Sequence, residues 1–142
     1  MQEQFLISFL PLEAMDYQVF ASKAKENIAA AECEYNHGRY NASANRAYYA
    51  MFHTAIAALL YYNVLPPGSR WEHSWVQAAF NEQLIKRRKI YPSKLAPDLV
   101  AVMSTRDIAD YKDAMVSQKR AYRALRKAKR FFSTVIIGVG GH

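Results

Sequence analysis

The stretch NRAYYAMFHTAIAALL, residues Asn45 to Leu60, decides the fold, because it predicts a long helix that is buried on most of its surface. Polar side chains nevertheless interrupt it at Arg46, Tyr49 and His53. At about 100° per residue, Tyr49 lies about 60° and His53 about 20° from Arg46 around the helix axis, with Asn45 at the edge. These side chains therefore form one polar stripe about two turns long.

The polar stripe has two interpretations that the sequence leaves open. It faces solvent or a paired network between helices, since buried polar groups need hydrogen-bond partners. Alternatively, it is a site that binds or cleaves a phosphodiester. There the Arg46 guanidinium would hold phosphate, His53 would transfer a proton near neutral pH, and Tyr49 would stack on a base or donate its hydroxyl. Core-like residues occupy the opposite side of the helix, and we expect Tyr48 to point into the core.

The rest of the chain predicts further helices separated by clear breaks. Helical spacing of apolar residues covers about 12–36, 40–63, 70–86, 98–111 and 114–137. Gly38 and the prolines of NVLPPGSR, residues 63–70, end the first two helices, and Ser69 is the expected cap of the third. No segment shows the alternation of a strand. We therefore predict an all-α fold, a four- to five-helix up-and-down antiparallel bundle.

The composition favours an ordered protein with an anionic partner. Hydrophobic residues make up 51% of the 142 positions, enough for one sizeable core. Lysine and arginine number 19 against 12 acidic residues, and the net charge of +7 indicates nucleic acid, a nucleotide or an acidic protein surface. Cys33 is the only cysteine, and the four histidines lack metal-ligand spacing. We therefore expect no disulfide within the chain, no metal and no cofactor.

The sequence also lacks the marks of export or membrane insertion. No apolar stretch reaches the roughly 20 residues of a membrane span. The first residues, MQEQFLISFLPLEAM, lack the basic start and long apolar run of a signal peptide. We expect a cytoplasmic protein with no membrane partner, whose tail VIIGVGGH frays at its end.

Two later segments carry further charged residues. STRDIADY, residues 104–111, places Arg106 and Asp110 on one helix face, as an ordinary salt bridge worth about 0.3–0.5 kcal/mol or as part of a site. QKRAYRALRKAKR, residues 118–130, holds seven basic residues and no acidic one. On a helical wheel with 100° per residue, four of them share one face: Lys119, Arg123, Arg126 and Arg130. That face is solvated or, together with KRRK at 86–89, forms a groove wall for RNA.

Several segments, taken in order, resemble the helices of HEPN-domain proteins, in the branch of small stand-alone prokaryotic members. AKENIAAAECEYNHGRYNASANRAYYA is similar to their first helix and the turn into the second, and NRAYYAMFHTAIAALL to the second helix. EHSWVQAAFNEQLI places His73 and Phe80 where the third helix of that branch has its His and Phe. STRDIADY resembles the Arg-x-x-Ala-Asp-Tyr signature, and AYRALRKAKRFFSTV the closing helix. The resemblance covers roughly residues 13 to 136 of a single domain.

The resemblance implies a helical bundle that commonly forms a homodimer. Many members bind RNA or are metal-independent RNases, often paired with a minimal nucleotidyltransferase in toxin–antitoxin or defence operons. The RNase branch carries an Arg and, after four to six residues, a His on a late helix, and two copies meet across the dimer. Here the positions after Arg106 hold Tyr111, Lys112 and Asp113, and a tyrosine, with a pKa of ~10, does not accept protons near pH 7. Arg46 and His53 are separated by six residues, which satisfies the Arg–His spacing of the RNase branch, but they lie on the second helix and not on a late one.

We therefore predict a HEPN-type protein that binds RNA or a nucleotide, with metal-independent RNA cleavage as a further hypothesis. The candidate catalytic residues are Arg46, His53 and Arg106. The expected binding residues are Asn45, Tyr49, Asp110, Tyr111, Lys119, Arg123, Arg126 and Arg130. The alternative is a non-catalytic helical interaction module that partners a minimal nucleotidyltransferase, in which the polar stripe holds the dimer or the partner.

Overall fold

The computed structural model describes residues 12–138, and all regular structure in this range is helical. The elements are α1 (Leu12–Asn36), α2 (Tyr40–Tyr61), α3 (His73–Ala79, continued by a π-helical segment Phe80–Arg87), a short 3-10 turn (Ser93–Leu95), α4 (Ala96–Tyr111) and α5 (Gln118–Gly138). No strand occurs in this part of the chain, so the all-α prediction is confirmed. The segment before residue 12 and the last four residues of the tail, for which fraying is expected, lie outside the described range.

Helix α2 is the central element, and α1, α4 and α5 all pack on it. The side predicted to be core is fully buried, namely Ala44, Tyr48, Met51, Ala55 and Leu59. Small residues on α1 and α2 let the two helices approach closely, and Ser43 Oγ donates to the Ala31 carbonyl across their contact at 2.8 Å. The polar stripe therefore lies on a helix that has neighbours on most sides.

The structure corrects two helix boundaries. Helix α3 begins at His73, because the first helical hydrogen bond runs from the Val76 N–H to the Glu72 carbonyl at 2.9 Å. Ser69 is therefore not the cap of α3. The other correction concerns residues 112–117, which the sequence predicted to be partly helical and which form a connection. There the Val116 N–H donates to Asn41 Oδ1 at 2.9 Å instead of to a helical carbonyl.

The remaining ends follow the expected chemistry. Gly38 terminates α1 with a φ of 75°, a conformation that glycine adopts without steric cost. Ser117 precedes α5, and its Oγ accepts from the Arg120 N–H at 3.2 Å, as an N-cap residue does. None of the helices described is long and apolar enough to cross a membrane.

Candidate functional site

The polar stripe of α2 is joined to α4 through Asn45. Arg106 Nε donates to Asp110 Oδ2 at 3.2 Å, and Asn45 Nδ2 donates to the same oxygen at 2.9 Å. Asn45 Oδ1 in turn accepts two hydrogen bonds from Arg46, from Nε at 3.0 Å and from Nη2 at 2.6 Å. The segments that sequence analysis singled out, around residues 45–53 and 106–111, therefore meet at one place in the fold.

Helix α1 extends this network with Asn27, which the sequence analysis did not identify. Asn27 Oδ1 accepts from Arg46 Nη1 at 3.0 Å, and Asn27 Nδ2 lies 3.2 Å from His53 Nδ1. Because an amide nitrogen only donates, His53 Nδ1 is the acceptor and the proton of the neutral ring lies on Nε2. A signal for Asn27 was present, since it shares its helix face with the buried residues Ala24 and Ala31.

The Tyr49 ring lies at the centre of the site. The guanidinium carbons of Arg46 and Arg106 lie 5.4 and 5.5 Å from its centroid. The rings of His53 and His73 lie 6.1 and 5.9 Å from the same centroid. We call Arg46, Tyr49, His53, His73 and Arg106 the arginine–tyrosine cluster. Among residues 17–137, whose side chains the structure describes, the only ion pair of either arginine joins Arg106 to Asp110 of α4, so Arg46 has no carboxylate partner there.

His73, the first residue of α3, enters the cluster through Tyr48. The His73 ring stacks on Phe52 at a centroid distance of 4.3 Å, and its Nδ1 lies 2.5 Å from Tyr48 Oη. Burial raises the pKa of Tyr48 to about 12, so its hydroxyl stays protonated and donates to His73. Arg106 Cζ lies 5.0 Å from the Tyr48 centroid, so one tyrosine contacts both the imidazole and the guanidinium. The sequence showed His73 only through the family resemblance.

Both histidines of the cluster are neutral at pH 7. Burial, as the largest cause, and the nearby cations of Lys23 and Arg46 together lower the pKa of His53 to about 4. Burial and the Arg106 charge also lower the pKa of His73, and Glu72 opposes them. The positive charge of the cluster therefore comes from its arginines, while the imidazoles act as neutral hydrogen-bonding groups.

Tyr111 covers Arg106 from the solvent side. Arg106 is 9% exposed, whereas Tyr111 is 72% exposed. Arg106 Nη2 donates to Tyr111 Oη at 3.3 Å, and the guanidinium carbon lies 5.5 Å from the Tyr111 ring centroid. The residue found where the RNase branch would have its histidine is therefore an arginine partner at the edge of the cluster.

The basic residues of α5 lie apart from the polar network. Arg130 Nη2 donates to Asp98 Oδ2 at 3.1 Å. The guanidinium carbon of Arg126 lies 5.8 Å from the centroid of the Tyr122 ring. Lys119 and Arg123 have no ion-pair partner among residues 17–137, whose side chains the structure describes. A surface depression of about 360 Å³ is lined by Lys119, Tyr122, Arg123, Arg126, Lys127 and Arg130. This surface contains all four basic residues that the sequence analysis grouped on one face.

The described side chains offer no group of three or more histidine, cysteine or acidic residues that could hold a metal ion. The fold and the site thus define an all-helical bundle protein with a cationic, aromatic-lined cluster between its helices. The sequence matches the family model described as HEPN domain over residues 17–137. Because this match covers most of the chain, the protein belongs to the HEPN-domain family, as its sequence predicted. A comparison with curated proteins found no match.

Proposed function

We propose that this HEPN-domain protein binds RNA and that the arginine–tyrosine cluster holds one of the RNA phosphates. The observation that carries the proposal is the approach of two guanidinium groups to one Tyr49 ring. Arg106 pairs with Asp110, whereas the hydrogen bonds of Arg46 go to the neutral side chains of Asn27 and Asn45. A phosphate group would give Arg46 an anionic partner, and a guanidinium pairs with two phosphate oxygens at once.

Tyr111 Oη occupies the position that a phosphate oxygen would take. This phenol oxygen is a neutral acceptor 3.3 Å from Arg106 Nη2, whereas a phosphate oxygen is an anionic one. The guanidinium forms an ion pair with an anionic phosphate oxygen but not with the neutral phenol, and it can hold two phosphate oxygens at once, so phosphate competes favourably for Arg106. Displacing Tyr111 sacrifices little buried surface, because most of its side chain is already in solvent.

The charge of the chain favours a polyanion over a neutral ligand. The net charge is +7, and seven basic residues lie between Gln118 and Arg130. Clustered positive charge attracts the phosphate backbone and raises the association rate. A homodimer and a minimal nucleotidyltransferase partner stay predictions from the family resemblance.

Fluorescence anisotropy with a labelled single-stranded RNA oligonucleotide in EDTA tests the binding proposal. Arg106→Gln removes one of the two guanidinium groups, and we expect the affinity to fall about tenfold, which corresponds to about 1.4 kcal/mol. Arg39→Gln is the matched control, because Arg39 is exposed and pairs with Glu34 at the α1–α2 turn. Urea unfolding verifies that both variants are folded. Equal affinities for the two variants would contradict binding at the cluster.

RNA cleavage is a second candidate function, favoured by the neutral imidazoles of His53 and His73 beside two arginines. In such a step the 2′-hydroxyl attacks phosphorus, a base takes its proton, and an acid protonates the departing 5′-oxygen to leave a 2′,3′-cyclic phosphate. A pKa of about 4 makes His53 a weak base, since a general base works best with a pKa near the ambient pH. An anionic phosphate beside the ring would raise that pKa. RNA binding is therefore the leading proposal, and RNA cleavage is the second.

Cleavage is tested by incubating the purified protein with total RNA in EDTA. Wild type is compared with His53→Ala, His73→Ala and Arg106→Ala, and with His37→Ala as a control at the exposed end of α1. We expect cyclic-phosphate products from wild type and the control, and fewer from the cluster variants. Equal cleavage in all samples, or none in any, removes the RNase hypothesis.

A further inference from the structure

A groove of about 250 Å³ separates α4 from α5 on a flank of α4 other than the one that carries Arg106. Ser104 and Thr105 contribute hydroxyl groups on the α4 wall, and Arg120, Arg123 and Lys127 contribute cations on the α5 wall. Ala101, Val102 and Ala124 complete the lining with small or branched apolar side chains. We call this the α4–α5 groove.

The cations of the α4–α5 groove have no carboxylate partner among the described side chains. Arg120, Arg123 and Lys127 form no ion pair with any residue between 17 and 137. Helix α5 itself contains no acidic residue. Thr105 Oγ1 donates to the Ala101 carbonyl at 3.4 Å, so the three cations and the Ser104 hydroxyl are the groups that offer donors and positive charge to an anion.

The groove continues over the outer surface of α5. Arg123 and Lys127 line both the α4–α5 groove and the depression of about 360 Å³ that contains Tyr122. Tyr122 is an exposed ring beside the Arg126 guanidinium, an arrangement on which a nucleobase can stack. An elongated cationic track with an aromatic ring fits a polymer better than it fits a single small anion.

The α4–α5 groove and the arginine–tyrosine cluster flank the same helix at the same level. Thr105 lines the groove and the next residue, Arg106, belongs to the cluster. Successive residues point about 100° apart around a helix that is about 10–12 Å wide with its side chains. A single nucleic-acid strand therefore reaches both places within a few nucleotides.

We propose that the α4–α5 groove binds further backbone phosphates of the same single RNA strand, which crosses α4 from the arginine–tyrosine cluster to α5. The inference rests on the proposed RNA binding and adds a path for the strand. Arg123 and Lys127 are its central contacts, because both depressions share them.

The salt dependence of RNA binding tests this path. Each lost contact with a single-stranded phosphate reduces the slope of log affinity against log salt by about 0.7, so Arg123→Ala/Lys127→Ala should reduce it by about 1.4. Lys25→Ala/Arg70→Ala removes the same charge at exposed positions on α1 and in the α2–α3 connection. We expect this control to keep the wild-type slope, and circular dichroism checks that both variants are folded.

Three outcomes overturn the path. If Arg123→Ala/Lys127→Ala binds RNA like its control, the α4–α5 groove does not contact the strand. If Arg106→Gln nevertheless weakens binding, RNA binding at the arginine–tyrosine cluster is retained and only the path over α4 is rejected. Calorimetry that finds two strands per chain shows two separate sites instead of one crossing strand. The third outcome is that inorganic phosphate or a nucleoside triphosphate shifts the NMR signals of Ser104 and Thr105, while the groove substitutions leave the salt dependence of RNA affinity unchanged. This result would identify a free phosphate ligand as the occupant of the groove.

Discussion

Tyr48 Oη lies 2.5 Å from His73 Nδ1, and this hydrogen bond joins the buried face of α2 to the first residue of α3. Tyr48 is fully buried, so its hydroxyl needs a partner inside the protein. The same tyrosine ring lies under the Arg106 guanidinium. A residue that sequence periodicity predicts to be core therefore also orients two residues of the candidate site.

We expect Tyr48→Phe to lower the free energy of unfolding by about 1 kcal/mol, because the ring stays and one hydrogen bond is lost. Tyr48→Ala also leaves a cavity and should cost about 3–5 kcal/mol. Urea denaturation measures both. Tyr122→Phe serves as the control, since Tyr122 is exposed and its change should stay within about 0.5 kcal/mol. If Tyr48→Phe is as neutral as this control, the bond to His73 does not contribute to stability.

The pH dependence of stability should reveal the buried state of His53. Its pKa is lowered from 6.5 to about 4 in the folded protein, so between these values the unfolded chain binds more protons. The free energy of unfolding therefore falls as the pH drops from about 6.5 towards 4, and below that range His53 adds no further loss. His53→Gln should flatten the pH profile in this window, as measured by urea unfolding. His37→Gln should keep the wild-type slope, and an unchanged slope in His53→Gln contradicts the lowered pKa.

The sequence could predict which side chains share a face of α2, because helix geometry fixes this without knowledge of the neighbours. The alignment of Arg46 with Tyr49 and the burial of Tyr48 both follow from the 100° step per residue. The neighbours themselves depend on packing between distant segments. Asn27 and Arg46 are 19 residues apart in the sequence, and Asn41 and Val116 are 75 residues apart. The helix face of Asn27 could be predicted from its spacing to its neighbours, but the partner in each of these contacts could not.

Asn27 allows a direct test of the network between α1 and α2. Asn27→Ala removes the acceptor of Arg46 Nη1 and the donor to His53 Nδ1. We expect a loss of about 1–3 kcal/mol in unfolding free energy, because partly buried polar groups are left without partners. The nitrogen chemical shifts of the His53 ring should also change, since Nδ1 loses its donor. Asn36→Ala at the exposed end of α1 is the control, and matching shifts and stabilities in the two variants would show that Asn27 does not hold the ring.

Tyr111→Phe distinguishes displacement of the Tyr111 hydroxyl by RNA from direct contact with it. The hydroxyl accepts from Arg106 Nη2, and a phosphate oxygen at the cluster must replace it. Phenylalanine keeps the ring beside the guanidinium but leaves nothing to displace. A net hydrogen bond is worth about 0.5–1.5 kcal/mol, so RNA affinity should rise about two- to tenfold in the anisotropy measurement. Tyr61→Phe, at an exposed tyrosine at the end of α2, should leave affinity unchanged. Weaker binding by Tyr111→Phe would mean that the hydroxyl contacts the RNA itself, and the phosphate would then bind Arg106 without removing Tyr111.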